Sequence, residues 1–197
     1  MTLNKLVLAT QNKDKIREIR TLLAPFDVSL IVPAEKIKVV EDRNTLEGNA
    51  IKKAGETAEQ YGMPALADDT GLEVDALDGA PGVHSARYAG ENASYDENVD
   101  KLLHQLESVP AEKRGARFRT VVALVVDDKI YTTEGICKGV ILKTRRGTGG
   151  FGYDPVFYIP ERGVTLAEMT LEEKNQISHR GVALLKMKKV IQEQFGA

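Results

Sequence analysis

The chain has 197 residues, of which 42% are hydrophobic and 28% are charged, as in an ordinary folded globular protein. The 27 Lys and Arg residues nearly balance 29 Asp and Glu residues, giving a formal net charge of -2. This balance argues against long nucleic acid as a partner, so any polyanion that binds must be small and held in a local pocket.

The first half of the chain predicts alternating strands and helices. An apolar run at residues 6–9 indicates a buried strand, and Ile16, Ile19 and Leu23 then repeat at helical spacing. A second strand is expected near residues 28–32. Asn44, with Glu47 three residues later, indicates the start of a helix that ends at residues 62–64.

A strand over residues 65–74 and a glycine-rich loop over 78–90 come next, and Ser94 with Glu97 opens another helix. Residues 116–126 and 130–136 predict an antiparallel hairpin. A strand at 155–159, a short helix capped by Thr170 and an apolar C-terminal helix complete the chain. This order predicts an α/β fold with a mixed sheet flanked by helices, in one large domain or in two lobes that share the sheet.

The segment T-Q-N-K-D-K at residues 10–15 lies between the first strand and the first helix. Backbone N–H groups and the helix dipole favour anions at such a position, and Lys13 and Lys15 add positive charge. The same residues are also typical of an ordinary capped turn with exposed lysines.

Two adjacent acids occur in A-D-D-T-G at residues 67–71. Because side chains alternate faces along a strand, only one of Asp68 and Asp69 is expected to face a given ligand. Magnesium binds one or two carboxylates together with water and phosphate oxygens, and Glu41 is the candidate for a second, distant carboxylate. The alternatives are a strand-ending turn with solvated acids and, for Glu41, a charged run that faces water.

The loop G-T-G-G-F-G-Y-D-P at residues 147–155 combines glycines and aromatic residues. Its backbone can approach a flat ligand closely, Phe151 or Tyr153 can stack on a base, and Asp154 can accept N–H groups. The lysine that ends a Walker loop is missing. A plain glycine-rich connection between strands is the alternative.

Residues 172–181 bring Lys174, Ser178, His179 and Arg180 to the junction of two helices. Because arginine only donates hydrogen bonds, it favours a purine with an oxygen at C6 and rejects adenine. His179 is also compatible with a structural or exposed position.

Taken together, the motifs at residues 10–15, 41–45, 49–54, 67–72, 81–90, 147–155 and 172–181 resemble the inosine triphosphate pyrophosphatase family, which includes the bacterial XTP/dITP pyrophosphatases. The resemblance implies a long mixed, twisted sheet flanked by helices, in two lobes with a cleft between them, and residues 1–197 as a single domain. It implies hydrolysis of ITP, dITP and XTP to the monophosphate and pyrophosphate, which removes these nucleotides before they enter DNA and RNA. It also implies one or more Mg²⁺ ions and a homodimer.

The same resemblance assigns roles to individual residues. Asp69 is the implied proton acceptor, and Asp69 and Glu41 are the implied magnesium ligands. The implied substrate-binding residues are Thr10, Gln11, Asn12, Lys13, Asp14, Lys15, Thr70, Phe151, Gly152, Tyr153, Asp154, Lys174, His179 and Arg180. Departures from the family pattern at Arg43, Leu46 and Gly48 leave Glu47 as an alternative to Glu41.

Two other functions stay open on the sequence. The related Maf-type pyrophosphatases prefer modified pyrimidines or dTTP, although the S-H-R and F-G-Y-D segments match the purine enzymes better. A nucleotide sensor without turnover would use the same binding residues. The single cysteine, Cys137, cannot form an intramolecular disulfide, and we find neither a signal peptide nor a membrane-spanning run, so we expect a cytoplasmic protein without membrane association.

Overall fold

The computed structural model describes residues 3–24, 28–35 and 39–196. The strands are β1 (Lys5–Leu8), β2 (Ser29–Ile31), β3 (Ala65–Val74), β4 (Pro81–Gly82), β5 (Gly115–Val126), β6 (Lys129–Ile141), β7 (Phe157–Ile159) and β8 (Val164–Thr165). The α-helices are α1 (Lys13–Leu23), α2 (Leu46–Tyr61), α3 (Tyr95–Gln105), α4 (Leu171–Ile177) and α5 (His179–Phe195).

The eight strands of the described residues belong to one sheet with the order β2-β1-β3-β5-β6-β7-β8, and β4 pairs with β3. Strand β1 runs parallel to β2 and to β3, whereas β3 with β4, β6 with β7 and β7 with β8 are antiparallel pairs. The mixed sheet flanked by helices that the sequence predicts is confirmed. No helix in the described part of the chain combines the length and the apolar character that a membrane crossing requires.

The chain divides into two compact units. The first consists of Met1–Asp69, Thr120–Gly135 and His179–Ala197, and the second of Thr70–Arg119 and Ile136–Ser178. Strands β3, β5 and β6 each contribute residues to both units.

The core of the first unit forms because one face of each helix is apolar. Ile19 and Leu23 of α1 are buried with Leu6 and Leu8 of β1. Helix α5 contributes its own apolar stripe to the same core, and this stripe consists of Ala183, Leu184, Met187 and Ile191.

The core of the second unit collects residues from α3 and from the strands. Val99, Leu102 and Leu106 lie on one face of α3 and its C-terminal end, as their spacing predicts. Phe118 and Phe157 pack against each other with their ring centroids 4.6 Å apart. Helix α3 begins with the predicted capping box of Ser94 and Glu97.

Several predicted boundaries need correction. Thr45, rather than Asn44, caps α2, because its hydroxyl accepts a hydrogen bond from the N–H of Gly48. Strand β6 continues to Ile141 instead of ending at residue 136, and β7 begins at Phe157 after a short 3₁₀ helix. The two-residue strands β4 and β8 are too short to show a pattern in the sequence.

Candidate active site

Asp68 and Asp69 lie in the middle of β3, with 2% and 6% of their surfaces exposed. They are therefore not the solvated acids of a turn, and that alternative is wrong. Their side chains contact different partners, as the alternation along a strand predicts. Each acid belongs to its own polar group within the first unit.

Asp68 is part of a buried ion-pair network. Its Oδ2 accepts hydrogen bonds from Nε and Nη2 of Arg180 at 3.1 and 3.0 Å, and it lies 2.9 Å from Nζ of Lys15. Nη1 of Arg180 donates to Oε2 of Glu18 at 2.6 Å. Arg180 and Glu18 are each 1% exposed, so this network links β3, α1 and α5 inside the unit.

Lys15 and Arg180 favour the ionised form of Asp68. Burial alone raises the pKa of Asp68, but Lys15 and Arg180 outweigh burial and hold this pKa well below its usual range. For Lys15 burial prevails over the attraction of Asp68, and its pKa is lowered. Asp68 is therefore held in its ionised form.

Asp69 belongs to a second group, which is centred on Lys53 of α2. Nζ of Lys53 donates to Oδ1 of Asp69 at 3.1 Å and to Oε1 of Glu41 at 2.8 Å. Nδ2 of Asn49 donates to Oδ2 of Asp69 at 3.1 Å. Burial raises the pKa of Asp69, although Lys53 and Lys15 counteract part of this effect, so Asp69 is a stronger base than an exposed aspartate.

The donor set around Lys53 suits a hard cation that also binds phosphate. Glu41 and Asp69 converge on the same ammonium group, so their oxygens lie near one point. Among the described residues, no cluster of three His, Cys, Asp or Glu side chains could hold a metal ion alone. Mg²⁺ is commonly held by one or two carboxylates, with the remaining ligands supplied by water and substrate phosphates, and these residues fit that pattern.

The alternative carboxylate, Glu47, has a different environment. Its side chain is exposed and its Oε1 accepts a hydrogen bond from Oγ1 of Thr132 at 3.3 Å. Glu41 is the carboxylate that shares Lys53 with Asp69.

Asn12 organises the segment of residues 10–15. Its Oδ1 accepts the N–H groups of Asp14 and Lys15 and so caps α1, while its own N–H donates to Oγ1 of Thr10 at 3.2 Å. Gln11 donates to the carbonyl groups of residues 33 and 35. Lys13 is exposed, whereas Lys15 points inward to Asp68, so the two lysines have different environments.

The second unit contains the other predicted group. Nζ of Lys174 forms an ion pair with Oδ2 of Asp154, and both side chains are less than 5% exposed. The same oxygen accepts the N–H of Phe151 at 2.8 Å, and Nζ of Lys174 lies 4.7 Å from the centre of the Phe151 ring. Gly150 is required here, because a Cβ atom would come within 2.1 Å of Asp154 Oδ2.

The remaining predicted residues have distinct positions. Tyr153 is buried in the core and donates through its hydroxyl to the carbonyl of Ser85 at 2.8 Å, whereas Phe151 is half-buried. Gly152 has a φ of 61° and Thr70 begins the second unit. His179 is buried at the start of α5. Like Arg180 it belongs to the first unit, whereas Lys174 belongs to the second.

Sequence reasoning missed three residues of these groups: Glu18, Asn49 and Lys53. Asn49 and Lys53 stand in the N-A-I-x-K-A motif, where their i, i+4 spacing puts both on one face of α2. Glu18 follows Lys15 by three residues and precedes the buried Ile19. An acidic residue on the apolar side of an amphipathic helix is a sequence signal that would have predicted a buried ion pair at Glu18.

Comparison with known proteins supports these motifs. Residues 6–190 match the Ham1 family. A dITP/XTP pyrophosphatase from Geobacter sulfurreducens is 55% identical over 190 residues, covering 94% of this chain and 96% of the relative, and one from Desulforamulus reducens is 52% identical over 195 residues, covering 97% of each.

A solved structure of a HAM1 protein from Coxiella burnetii superposes with a TM-score of 0.87 at 42% identity, covering 98% of this chain and all of that one. The family match spans most of the chain, and both the relatives and the solved structure extend it to nearly full length. This chain therefore belongs to the Ham1 family.

Proposed function

We propose that this protein is a magnesium-dependent nucleoside triphosphate pyrophosphatase that hydrolyses ITP, dITP and XTP to the monophosphate and pyrophosphate. The observation that carries the proposal is the convergence of Asp69 and Glu41 on Lys53, next to the Asp68 and Lys15 pair. The names of the relatives, dITP/XTP pyrophosphatases, agree with this substrate class. Its role is to remove non-standard purines from the nucleotide pool.

The first unit supplies the phosphate and metal chemistry. Thr10, Gln11, Asn12, Lys13, Asp14 and Lys15 bind the triphosphate, and Thr70 adds a further substrate contact. Asp69 and Glu41 hold Mg²⁺, with Glu41 preferred to Glu47 because it shares Lys53 with Asp69. When bound, Mg²⁺ neutralises charge on the phosphate oxygens.

Asp69 is the proton acceptor for the attacking water. As the water oxygen bonds to the α-phosphorus, its proton passes to a carboxylate oxygen of Asp69, and the bond from that phosphorus to the bridging oxygen breaks to release pyrophosphate. The raised pKa of Asp69, caused mainly by burial, favours this transfer. Asn49 and Lys53 hold the carboxylate in place through hydrogen bonds to its two oxygens.

The base is recognised by Phe151, Gly152, Tyr153, Asp154, Lys174, His179 and Arg180. Of the two aromatic residues, Phe151 is the one that can stack, because Tyr153 is buried in the core. Arg180 only donates hydrogen bonds, so it favours the 6-oxo group of these purines over the 6-amino group of adenine.

The test is to incubate the purified protein with Mg²⁺ and ITP, dITP, XTP, ATP or dTTP and to measure pyrophosphate and orthophosphate separately. We expect pyrophosphate from the first three nucleotides and little from the others. Asp69→Asn should lose at least about a hundredfold in kcat, as expected when a general base is removed. Asp78→Asn is the matched control, because Asp78 is exposed and asparagine tolerates its φ of 51°.

Other outcomes would identify the alternatives. Preference for dTTP would indicate a Maf-type enzyme, and saturable binding of ITP without any turnover would indicate a sensor. Orthophosphate as the direct product would indicate cleavage at the γ-phosphate. Full activity of Asp69→Asn would remove this residue from its proposed role.

The proposal extends to the domain organisation, the oligomeric state and the location of the protein. Residues 1–197 form one domain, since three strands of the sheet carry residues of both units, and we expect coincident unfolding transitions by circular dichroism and tyrosine fluorescence. The protein is a cytoplasmic homodimer. Light scattering after gel filtration measures the mass against 21.6 kDa for one chain, and cell fractionation tests the location.

A further inference from the structure

An exposed tyrosine lies beside the aromatic residue that we assign to base stacking. Tyr95 is the first residue of α3, and 44% of its surface is exposed. Its ring centroid lies 5.8 Å from that of Phe151, with the ring planes tilted by 44°. This separation is within the range of interacting aromatic pairs, which favour tilted or offset arrangements.

Phe151 also has polar contacts. Its backbone N–H donates to Asp154, and Lys174 lies over its ring and pairs with the same carboxylate. Asp154 and Lys174 are buried, so Tyr95 is the exposed member of this group. All four residues belong to the second unit.

The position of Tyr95 is well determined by its helix. The capping box of Ser94 and Glu97 fixes the first turn of α3. Arg145 further anchors this turn, because its Nη2 donates to the carbonyl of Asp96 at 3.2 Å and to Oδ1 of Asp100 at 2.8 Å. A rigid turn thus presents a large aromatic ring that the core does not bury.

We infer that Tyr95 is a positioning residue for Phe151 and, with it, forms an aromatic surface for the purine base of the substrate. This inference rests on the proposed function. Tyr95 restricts the orientation of the Phe151 ring, and a base that stacks on Phe151 then binds without first ordering that ring. Because the bond is broken at Asp69, loss of Tyr95 weakens binding and leaves the chemical step intact.

Kinetics with ITP test this role. For Tyr95→Ala we expect KM to rise about 3- to 10-fold, the size of one aromatic pair contact, with kcat within about twofold of the wild type. Tyr95→Phe keeps the ring and should retain the wild-type KM. Tyr61→Ala is the control, because it removes a partly exposed tyrosine from the end of another helix, α2.

An unchanged KM for Tyr95→Ala would overturn the inference, and so would a fall in kcat at constant KM or a Tyr95→Phe variant that behaves like Tyr95→Ala. If circular dichroism shows that Tyr95→Ala does not fold, Tyr95→Leu is measured by the same criteria. Absence of ITP turnover by the wild type would instead refute the proposed function, so the two failures are distinguishable.

Fluorescence gives a readout that does not depend on turnover. The chain has no tryptophan, so Tyr95→Trp introduces a single reporter at this position. Titration with ITP in the presence of EDTA should change its emission saturably, because the base approaches the ring. Constant emission from a variant that hydrolyses ITP once Mg²⁺ is restored would contradict the inference.

Discussion

Arg180 offers the clearest test of how the first unit is stabilised. Arg180→Met removes the guanidinium group and leaves a side chain of similar length. Glu18 and Asp68 are 1% and 2% exposed, and both lose a charged partner at hydrogen-bond distance. Removal of one partner from a buried ion pair costs about 3 to 5 kcal/mol, a large part of the roughly 5 to 15 kcal/mol that stabilises a typical domain.

Part of this cost should fall on each carboxylate. Asp68 loses Arg180 but keeps Lys15 at 2.9 Å, and Glu18 loses its 2.6 Å contact with Nη1 of Arg180. A second substitution, Glu18→Leu in the Arg180→Met background, removes one of the two buried charges, so we expect it to recover part of the lost stability. Arg117→Met is the control, since Arg117 pairs with Glu73 at the surface and its loss should cost less than about 1 kcal/mol.

Urea denaturation followed by circular dichroism measures the free energy of unfolding of these variants. A loss for Arg180→Met of less than about 1 kcal/mol, equal to that of Arg117→Met, would refute the reasoning. So would the absence of any recovery in the double variant, because the penalty would then not come from the Glu18 charge.

The stability difference between the wild type and Arg180→Met should depend on pH. Burial raises the pKa of Asp68, but Lys15 and Arg180 hold it well below the ordinary value of 3.8. A depressed folded-state pKa adds stability that is present above the unfolded pKa and is lost as the pH falls through the folded pKa. In Arg180→Met the pKa of Asp68 is less depressed. The difference in free energy of unfolding between this variant and the wild type should therefore become smaller below about pH 4. A constant gap between pH 7 and pH 3 would contradict this.

Three other features give shorter tests. Gly135→Ala should destabilise the fold by about 1 to 3 kcal/mol, because its Cβ would lie 2.0 Å from the carbonyl oxygen of His179. Gly55→Ala, on the open face of α2, should instead add about 0.5 to 1 kcal/mol of stability. Urea denaturation measures both, and equal effects would contradict the close packing at Gly135. Burial raises the pKa of Cys137 to about 11, so its alkylation by iodoacetamide at pH 8 should be about a hundredfold slower or more in the folded protein than in urea; equal rates would contradict the burial. EDTA should abolish pyrophosphate release and added Mg²⁺ restore it, and activity that survives EDTA would refute the metal requirement.

The sequence predicted best those elements that carry their own local signals. Strand β3 has the predicted bounds, and α3 begins with the predicted capping box. The start of α2 was predicted one residue early because Asn44 and Thr45 are both good capping residues, and only the bond from Gly48 to Thr45 distinguishes them.

The sequence predicted that β6 ends at residue 136, whereas the strand continues to Ile141. A Cβ on Gly139 would lie 2.5 Å from the carbonyl oxygen of Tyr158, and one on Gly135 would collide with the start of α5. Both glycines therefore permit close approach within a continuous strand. The need for glycine at these two positions comes from residues that are distant in the sequence, and a local sequence pattern does not contain that information.

The same limit applies to the site. Adjacent acids in a strand were enough to predict that Asp68 and Asp69 would differ, but their roles depend on cations from three helices. Lys15 and Arg180 hold the pKa of Asp68 low, whereas burial prevails at Asp69 and raises its pKa. Adjacent residues of β3 thus differ in role: Asp68 has a lowered pKa and joins α1 to α5, whereas Asp69 has a raised pKa that suits it to accept a proton. Both residues are aspartates, so their roles differ only because the neighbouring charges differ on the two faces of β3. Substitution of those neighbours should therefore disturb the site even when both aspartates are kept.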